Sequence, residues 1–309
     1  MDKKTERLVD VARMYYEQDR TQSEIADQYG ISRPMVSKLL KEARDKGIVT
    51  IRISAPQEES GGALSLMELV GRCFGIYDGV AVPDGPNDQT TNEAVAEAAI
   101  SYLSGLGGTG LGIGWGHIIG DVVKHMEQRE TLVPIGTFVC PLIGNGGVGL
   151  KNYHSNELVR SIAEHSGAQP RFIYSPACVL SEQELKLTRE LDSYHEIYHV
   201  WEKLDVALVN IGNFPSVPDF ASEARYGDQL IRQKAVGRIL NYFMDSQGHI
   251  IRSDTDYAIQ IPLELLTRTR HVVGICSANT SPKAFRGALK TGYLKHFIAP
   301  EHVVREALE

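Results

Sequence analysis

Cysteine is scarce in this 309-residue chain: Cys73, Cys140, Cys178 and Cys276 are all it has, with no Cys-x-x-Cys pair and no histidines at zinc-finger spacing. That excludes a disulfide framework and fits reduced thiols in a cytoplasm. Long apolar runs are missing too, and the start, Met1-Asp-Lys-Lys-Thr-Glu-Arg7, has no apolar signal core. A cytoplasmic protein with no membrane partner is expected. No Walker sequence occurs, and the segment at 112–117 places His117 where a dinucleotide fingerprint needs its third glycine. Neither a G-x-S-x-G elbow nor an H-E-x-x-H pair is present. His195 and His199 stand at i, i+4, but with no third ligand they read as a helix surface beside Trp201. No cofactor and no metal are expected.

Net positive charge is absent as well. The formal charge is −7, unusual for a protein that binds nucleic acid along its whole length. Its distribution is uneven. Residues 1–55 carry 11 Lys and Arg against 9 Asp and Glu, a balance of +2 that leaves −9 for the rest. Only a small N-terminal unit therefore suits phosphate.

Within that unit, residues 21–41 read as a helix-turn-helix. Thr21 and Glu24 make a capping box, Ile25 and Ala26 face inward, and Gly30 supplies a sharp turn. Ser32 caps a second helix with Pro34 in its first turn, and Val36, Leu39 and Leu40 give it a buried stripe. Arg33, Met35, Ser37, Lys38 and Lys41 are left outside, a short basic face suited to the major groove, with Thr21, Gln22 and Ser32 beside it. A leading helix puts Leu8, Val9, Ala12 and Tyr15 or Tyr16 on one face, and residues 47–53 alternate like a strand, giving a winged type of module. A two-helix hairpin in any α domain shares the outline, but not the capping box, turn glycine and cationic face together.

The expected organisation is a DNA-binding domain at 1–54, a polar linker at 55–62 and a larger domain at 63–309. In the larger part, helical patterns at 63–74, 89–104, 117–128, 154–166, 181–203, 282–291 and 300–308 alternate with apolar runs. Those runs lie at 79–83, 110–113, 135–142, 171–174, 206–211, 271–276 and 294–299. Such alternation predicts a three-layer α/β sheet, mostly parallel. Residues 235–244 and 249–252 look instead like a β-hairpin. Ligands of open α/β sheets bind beyond the carboxyl ends of the strands. Four loops qualify there: Gly112-Ile-Gly-Trp-Gly-His117, Ile143-Gly-Asn-Gly-Gly-Val148, Gly212-Asn-Phe214 and Ser277-Ala-Asn-Thr-Ser-Pro-Lys283. Glycines after strands also serve close packing alone.

Taken together, Gln22-Ser-Glu-Ile-Ala26, Ile31-Ser-Arg33, Val36-Ser-Lys-Leu-Leu40, Gly112-Ile-Gly-Trp-Gly116, Asn156-Glu-Leu-Val159, Asp205-Val-Ala-Leu208, Lys234-Ala-Val-Gly237, Phe243-Met-Asp245 and Gly287-Ala-Leu289 carry a resemblance over nearly the whole chain. The chain resembles the SorC family of sugar-responsive bacterial transcriptional regulators. The resemblance implies an effector domain similar to sugar-phosphate isomerases and deaminases, dimers or tetramers, operator DNA as a partner and a sugar or sugar phosphate as effector. It also implies effector-binding positions at Gly114, Trp115, Gly116, His117, Gly144, Asn145, Gly146, His154, Asn156, Glu157, Asn213, Arg238, Ser281 and Lys283.

At several of these the chain departs from members that bind phosphosugars. His117 and Ile118 replace small hydroxyl residues, His154 stands where Gln is usual, and Arg238 replaces an acid. Ser281 replaces a lysine, with Lys283 two residues displaced, and no lysine lies near Ile143 for covalent capture. These departures point to a different small polyol, sugar or sugar acid, with Arg238 suited to a carboxylate or phosphate; a relocated phosphate site using His117 and Lys283 is the alternative. A sugar-phosphate isomerase or deaminase with a DNA-binding head, and an architectural DNA binder with a ligandless body, are the rival functions.

Overall fold

The computed structural model describes residues 3–16, 18, 20–46, 48–49, 65–76, 78–147, 149–216 and 225–309. The chain divides into two compact units, Met1–Ala63 and Leu64–Glu309.

Three helices, α1 (Lys3–Tyr16), α2 (Gln22–Tyr29) and α3 (Arg33–Asp45), build the smaller unit. Thr21 N–H donates to Glu24 Oε2 at 2.8 Å, and Thr21 Oγ1 accepts from Glu24 N–H at 3.3 Å. This reciprocal box satisfies two donors that the start of α2 leaves open. Gly30 ends α2 at φ 61°, ψ 37°, a left-handed conformation that costs a residue without a Cβ nothing. Leu8, Val11 and Ala12 of α1, Ile25 and Ala26 of α2, and Val36, Leu39, Leu40 and Ala43 of α3 close into one core. Val11, rather than the expected Val9, completes the inner face of α1, because positions 8, 11 and 12 follow i, i+3, i+4 while Val9 is half-buried. Ser32 stands at the N-cap of α3, but its hydroxyl makes no cap bond. The strand expected at 47–53 and the linker at 55–62 lie outside the described residues, apart from Ile48 and Val49, which pack on this core.

The larger unit is built on nine strands: β1 (Gly79–Val82), β2 (Gly110–Ile113), β3 (Phe138–Pro141), β4 (Gln169–Pro170), β5 (Val206–Asn213), β6 (Gly237–Ile239), β7 (Tyr242–Met244), β8 (His271–Ile275) and β9 (His296–Pro300). Seven run in the order β1-β9-β8-β5-β2-β3-β4, each neighbouring pair parallel. All residues of β2 and β9 are buried whichever way they point, so both faces of the sheet are covered, as a three-layer fold requires. From β2 the chain moves outward to β3 and β4; from β5 it builds the other way, through β8 to β9. The winding reverses between β2 and β5, and that crevice is where open α/β sheets bind ligands.

Local differences from the sequence reading have local causes. The helix expected at 181–203 is two, α8 (Glu182–Glu190) and α9 (Asp192–Trp201), broken where Leu191 is extended at φ −68°, ψ 139°. The fourth strand is Gln169–Pro170, with residues 171–174 irregular beyond it. A short helix at Leu263–Arg268 carries no Ser, Thr, Asp or Asn cap to announce it, starting directly after Pro262. The hairpin reverses earlier than expected: β6 pairs with β7 through Leu240 and Asn241, Leu240 taking φ 52°, and residue 250 then meets Met244 in a single bridge.

Candidate functional site

In the smaller unit, Arg33, Ser37 and Lys41 fall at i, i+4, i+8 along α3, with Lys38 next to them, all exposed. Met35 is 47% exposed on the other border of the same helix, Thr21 and Ser32 are exposed, and Gln22 is half-buried. The buried stripe of Val36, Leu39, Leu40 and Ala43 fixes which way this cationic face points.

The larger unit contains a cavity of about 760 Å³ at the β2–β5 reversal. Gly114 N–H bonds Leu208 O at 2.8 Å, tying the exit of β2 to β5. Gly116, at φ 111°, then turns the chain into α6 (His117–Glu127). His117, Asp121 and His125, at i, i+4, i+8 on α6, reach the cavity together with Lys124. Burial raises the Asp121 carboxyl above its ordinary range; His125, Lys124 and His117 pull it down, and Glu93 pushes it up. Tyr153 joins this wall, edge-on to both Trp115 and His117 at 5.7 and 5.6 Å between ring centres.

The far end of β5 supplies the floor. Asn210 is 8% exposed, and its Oδ1 has no hydrogen-bond partner among the described residues. A buried acceptor left in that state costs about 1–3 kcal/mol. Asn213 is a brace: its Nδ2 donates to Asn279 O at 2.9 Å, and its Oδ1 accepts from Ser281 N–H at 2.7 Å, holding the loop after β8 against β5. Arg238 stands opposite Gly212 in the β5–β6 pairing. A Cβ on Gly212 would lie 3.0 Å from Arg238 Nε and 3.2 Å from its Cγ, so glycine is what lets the arginine stem lie across the strand. The guanidinium is 6.0 Å from the Phe243 ring centre, and Nη1 donates to Asn241 Oδ1 at 3.4 Å. Though only 5% exposed, Arg238 forms part of the cavity wall.

Of the positions expected from sequence, Gly116, His117, Asn213 and Arg238 meet around this cavity. Gly114 and Trp115 are buried behind its wall. The loop after β3 turns elsewhere, because β3 lies one strand beyond the reversal. Asn156 Nδ2 donates to Ile173 O at 2.9 Å, Asn156 Oδ1 accepts from Ile173 N–H at 3.0 Å, and Asn145 Oδ1 accepts from Asn156 N–H at 3.3 Å. Those amides are clasps, not cavity groups. Gly144 runs so close to Pro176 that a Cβ would stand 2.2 Å from its carbonyl oxygen, and a Cβ on Gly146 would meet Tyr153 O at 2.9 Å. His154 is the N-cap of α7 (Ser155–Ser166), Glu157 and Lys283 are exposed, and Ser281 caps the helix Pro282–Lys290; none of the four lines the cavity.

With this geometry in place, likeness to known proteins becomes informative. Residues 59–309 match the family model described as "Putative sugar-binding domain", and residues 5–46 match sigma-70, region 4. The sorbitol operon regulator of Klebsiella pneumoniae is 31% identical over 300 residues, spanning 93% of this chain and 92% of the relative. The chain belongs to the SorC family of sugar-responsive transcriptional regulators. Another relative, the deoxyribonucleoside regulator of Bacillus subtilis (strain 168), is 27% identical over 317 residues, 99% of this chain and 98% of its own. The crystal structure of the full-length sorbitol operon regulator of Klebsiella pneumoniae matches this SorC-family chain with a TM-score of 0.71 at 26% identity, covering 100% of both.

Sequence reasoning missed Asn210, Asp121, Lys124, His125 and the α5 (Asp88–Leu106) residues Asn92 and Glu93 in this SorC-family cavity. One signal was available: Asn210 is the single polar side chain in the apolar run at 206–211. Among the described residues no cluster of three or more His, Cys, Asp or Glu could hold a metal ion, and His199 is instead paired with Glu202 at 2.8 Å. No helix among the described residues is long and apolar enough to cross a membrane.

Proposed function

We propose that this SorC-family protein reads operator DNA of a carbohydrate-utilisation operon with α3 and senses a small carbohydrate effector in the cavity between β2 and β5. The observation that carries the reading is that a buried arginine and a buried open acceptor meet at the point where the sheet reverses. Such a pairing of sharp polar groups with a concave wall suits a small polar ligand. In this reading the domain at 1–54, joined through 55–62 to the domain at 63–309, acts as a pair of heads in a dimer or tetramer. A head with a charge of only +2 gains from reading two half-sites at once. The protein is not an enzyme: its relatives are transcriptional regulators, and the cavity serves binding.

The test uses the full-length protein and DNA from upstream of its own operon. A Lys38→Ala, Lys41→Ala double variant is expected to lose at least tenfold in DNA affinity and to show a shallower salt dependence. Unchanged affinity would remove α3 from the reading. Turnover of pentose or hexose phosphates by the purified protein would contradict the non-catalytic assignment.

A further inference from the structure

The two sides of the cavity ask for different chemistry. On the β6 side stands the Arg238 guanidinium, flat against Phe243. Across from it are Asn210 Oδ1, a buried acceptor without a donor among the described residues, and the half-buried carboxyl of Asp121. The charged lining groups among the described residues are Arg238 and Lys124 against Glu93 and Asp121, with His117 and His125 beside them. With neutral histidines the cavity is thus close to balanced before any ligand enters.

A phosphate ester brings roughly 1.5 to 2 negative charges at neutral pH and only acceptor oxygens. It would place excess negative charge beside Glu93 and Asp121, and it has no proton to offer Asn210. A carboxylate brings one charge on two coplanar oxygens, the geometry a guanidinium matches. Hydroxyls on the rest of the molecule are the donors that Asn210 Oδ1 and Asp121 accept from. An uncharged polyol meets the second demand and makes no use of the first.

We infer that the effector is a sugar acid, a monoanionic polyhydroxy carboxylate, held with its carboxylate on Arg238 and its hydroxyls toward Asn210 and Asp121. This rests on the reading of the cavity as the effector site. It turns the ligand's anionic end toward β6 and its hydroxyls toward the Gly116 turn.

Calorimetry on the full-length protein tests it with four acids, D-gluconate, D-galactonate, D-glucuronate and D-galacturonate, against D-glucitol, D-galactitol, D-glucose 6-phosphate and D-galactose 6-phosphate. At least one acid is expected to bind tenfold or more tighter than its matched polyol and phosphate. Arg238→Gln should erase that preference, and Asn210→Leu should weaken the acid at least fivefold. The ranking on the unaltered protein decides even if a buried variant fails to fold. A phosphate or polyol that binds as tightly as the acids, and is weakened by Asn210→Leu, overturns the sugar-acid assignment while leaving the cavity as the effector site. A probe that binds with an affinity unmoved by either variant overturns both. Binding of none of the eight probes also overturns the assignment.

Discussion

His302 makes two hydrogen bonds that only a protonated ring can make together. Its Nδ1 faces Asp84 Oδ1, and its Nε2 faces Ala278 O at 3.0 Å; both partners are acceptors. Burial opposes the charged ring, but the bonded Asp84 carboxylate, the Ala278 carbonyl and Glu306 outweigh it and hold the imidazole above its ordinary range. A group whose pKa rises on folding stabilises the fold fully below its unfolded value, near 6.5, and loses that contribution as pH climbs through the raised one. His302→Ala should therefore lower the urea midpoint by more at pH 6 than at pH 9; a pH-independent gap would show that the ring is neutral throughout. Ala278 N–H is held by Asn92 Oδ1 at 2.7 Å, so this clasp also steadies the Ser277–Thr280 side of the cavity. At Gly212, alanine would press on the Arg238 stem. Gly212→Ala is expected to weaken effector binding severalfold by moving the guanidinium, measured by calorimetry, with the far-ultraviolet spectrum unchanged. Full affinity would show that the stem yields freely.

Among the elements, α2 and α3 depend on short-range devices that a sequence states openly. The Thr21–Glu24 box and the left-handed Gly30 are both written in single residues, and both formed. Thr21→Ala should cost the smaller unit about 0.5–2 kcal/mol, seen as a lower midpoint in chemical denaturation of the helical signal; no change would mean the cap is idle. The elements that stayed hidden depend on tertiary partners instead. Leu240 takes a positive φ because Arg238 and Tyr242 must face opposite ways across a two-residue reversal, with Asn241 N–H caught by Gln260 Oε1 at 3.0 Å. Nothing local in Ile239-Leu-Asn-Tyr242 asks for that turn. The break at Leu191 likewise has no Gly or Pro to mark it. The loop after β3 looked like a ligand loop from its glycines, yet those glycines serve close contact with Pro176 and Tyr153, and composition cannot tell the two uses apart.

For the whole molecule, alternating apolar runs made the parallel sheet legible, but not the strand order, which follows from long-range pairing. That order decides the site, because it puts the ends of β2 and β5 together and leaves β3 outside. It also explains why Asn210 could be suspected from sequence and not assigned. A ligand in the larger unit alters DNA binding by the smaller one only if it favours one arrangement of the protein over another. Typical coupling of this kind changes affinity by about 5- to 150-fold. The most direct test is a fluorescence anisotropy titration of the full-length protein on its own upstream DNA, with and without the tightest-binding acid of the calorimetric panel. An effector cavity at the β2–β5 reversal predicts at least a fivefold change in DNA affinity with the native protein and none with Arg238→Gln. Equal affinity with and without ligand in the native protein, or an undiminished response in Arg238→Gln, would contradict it.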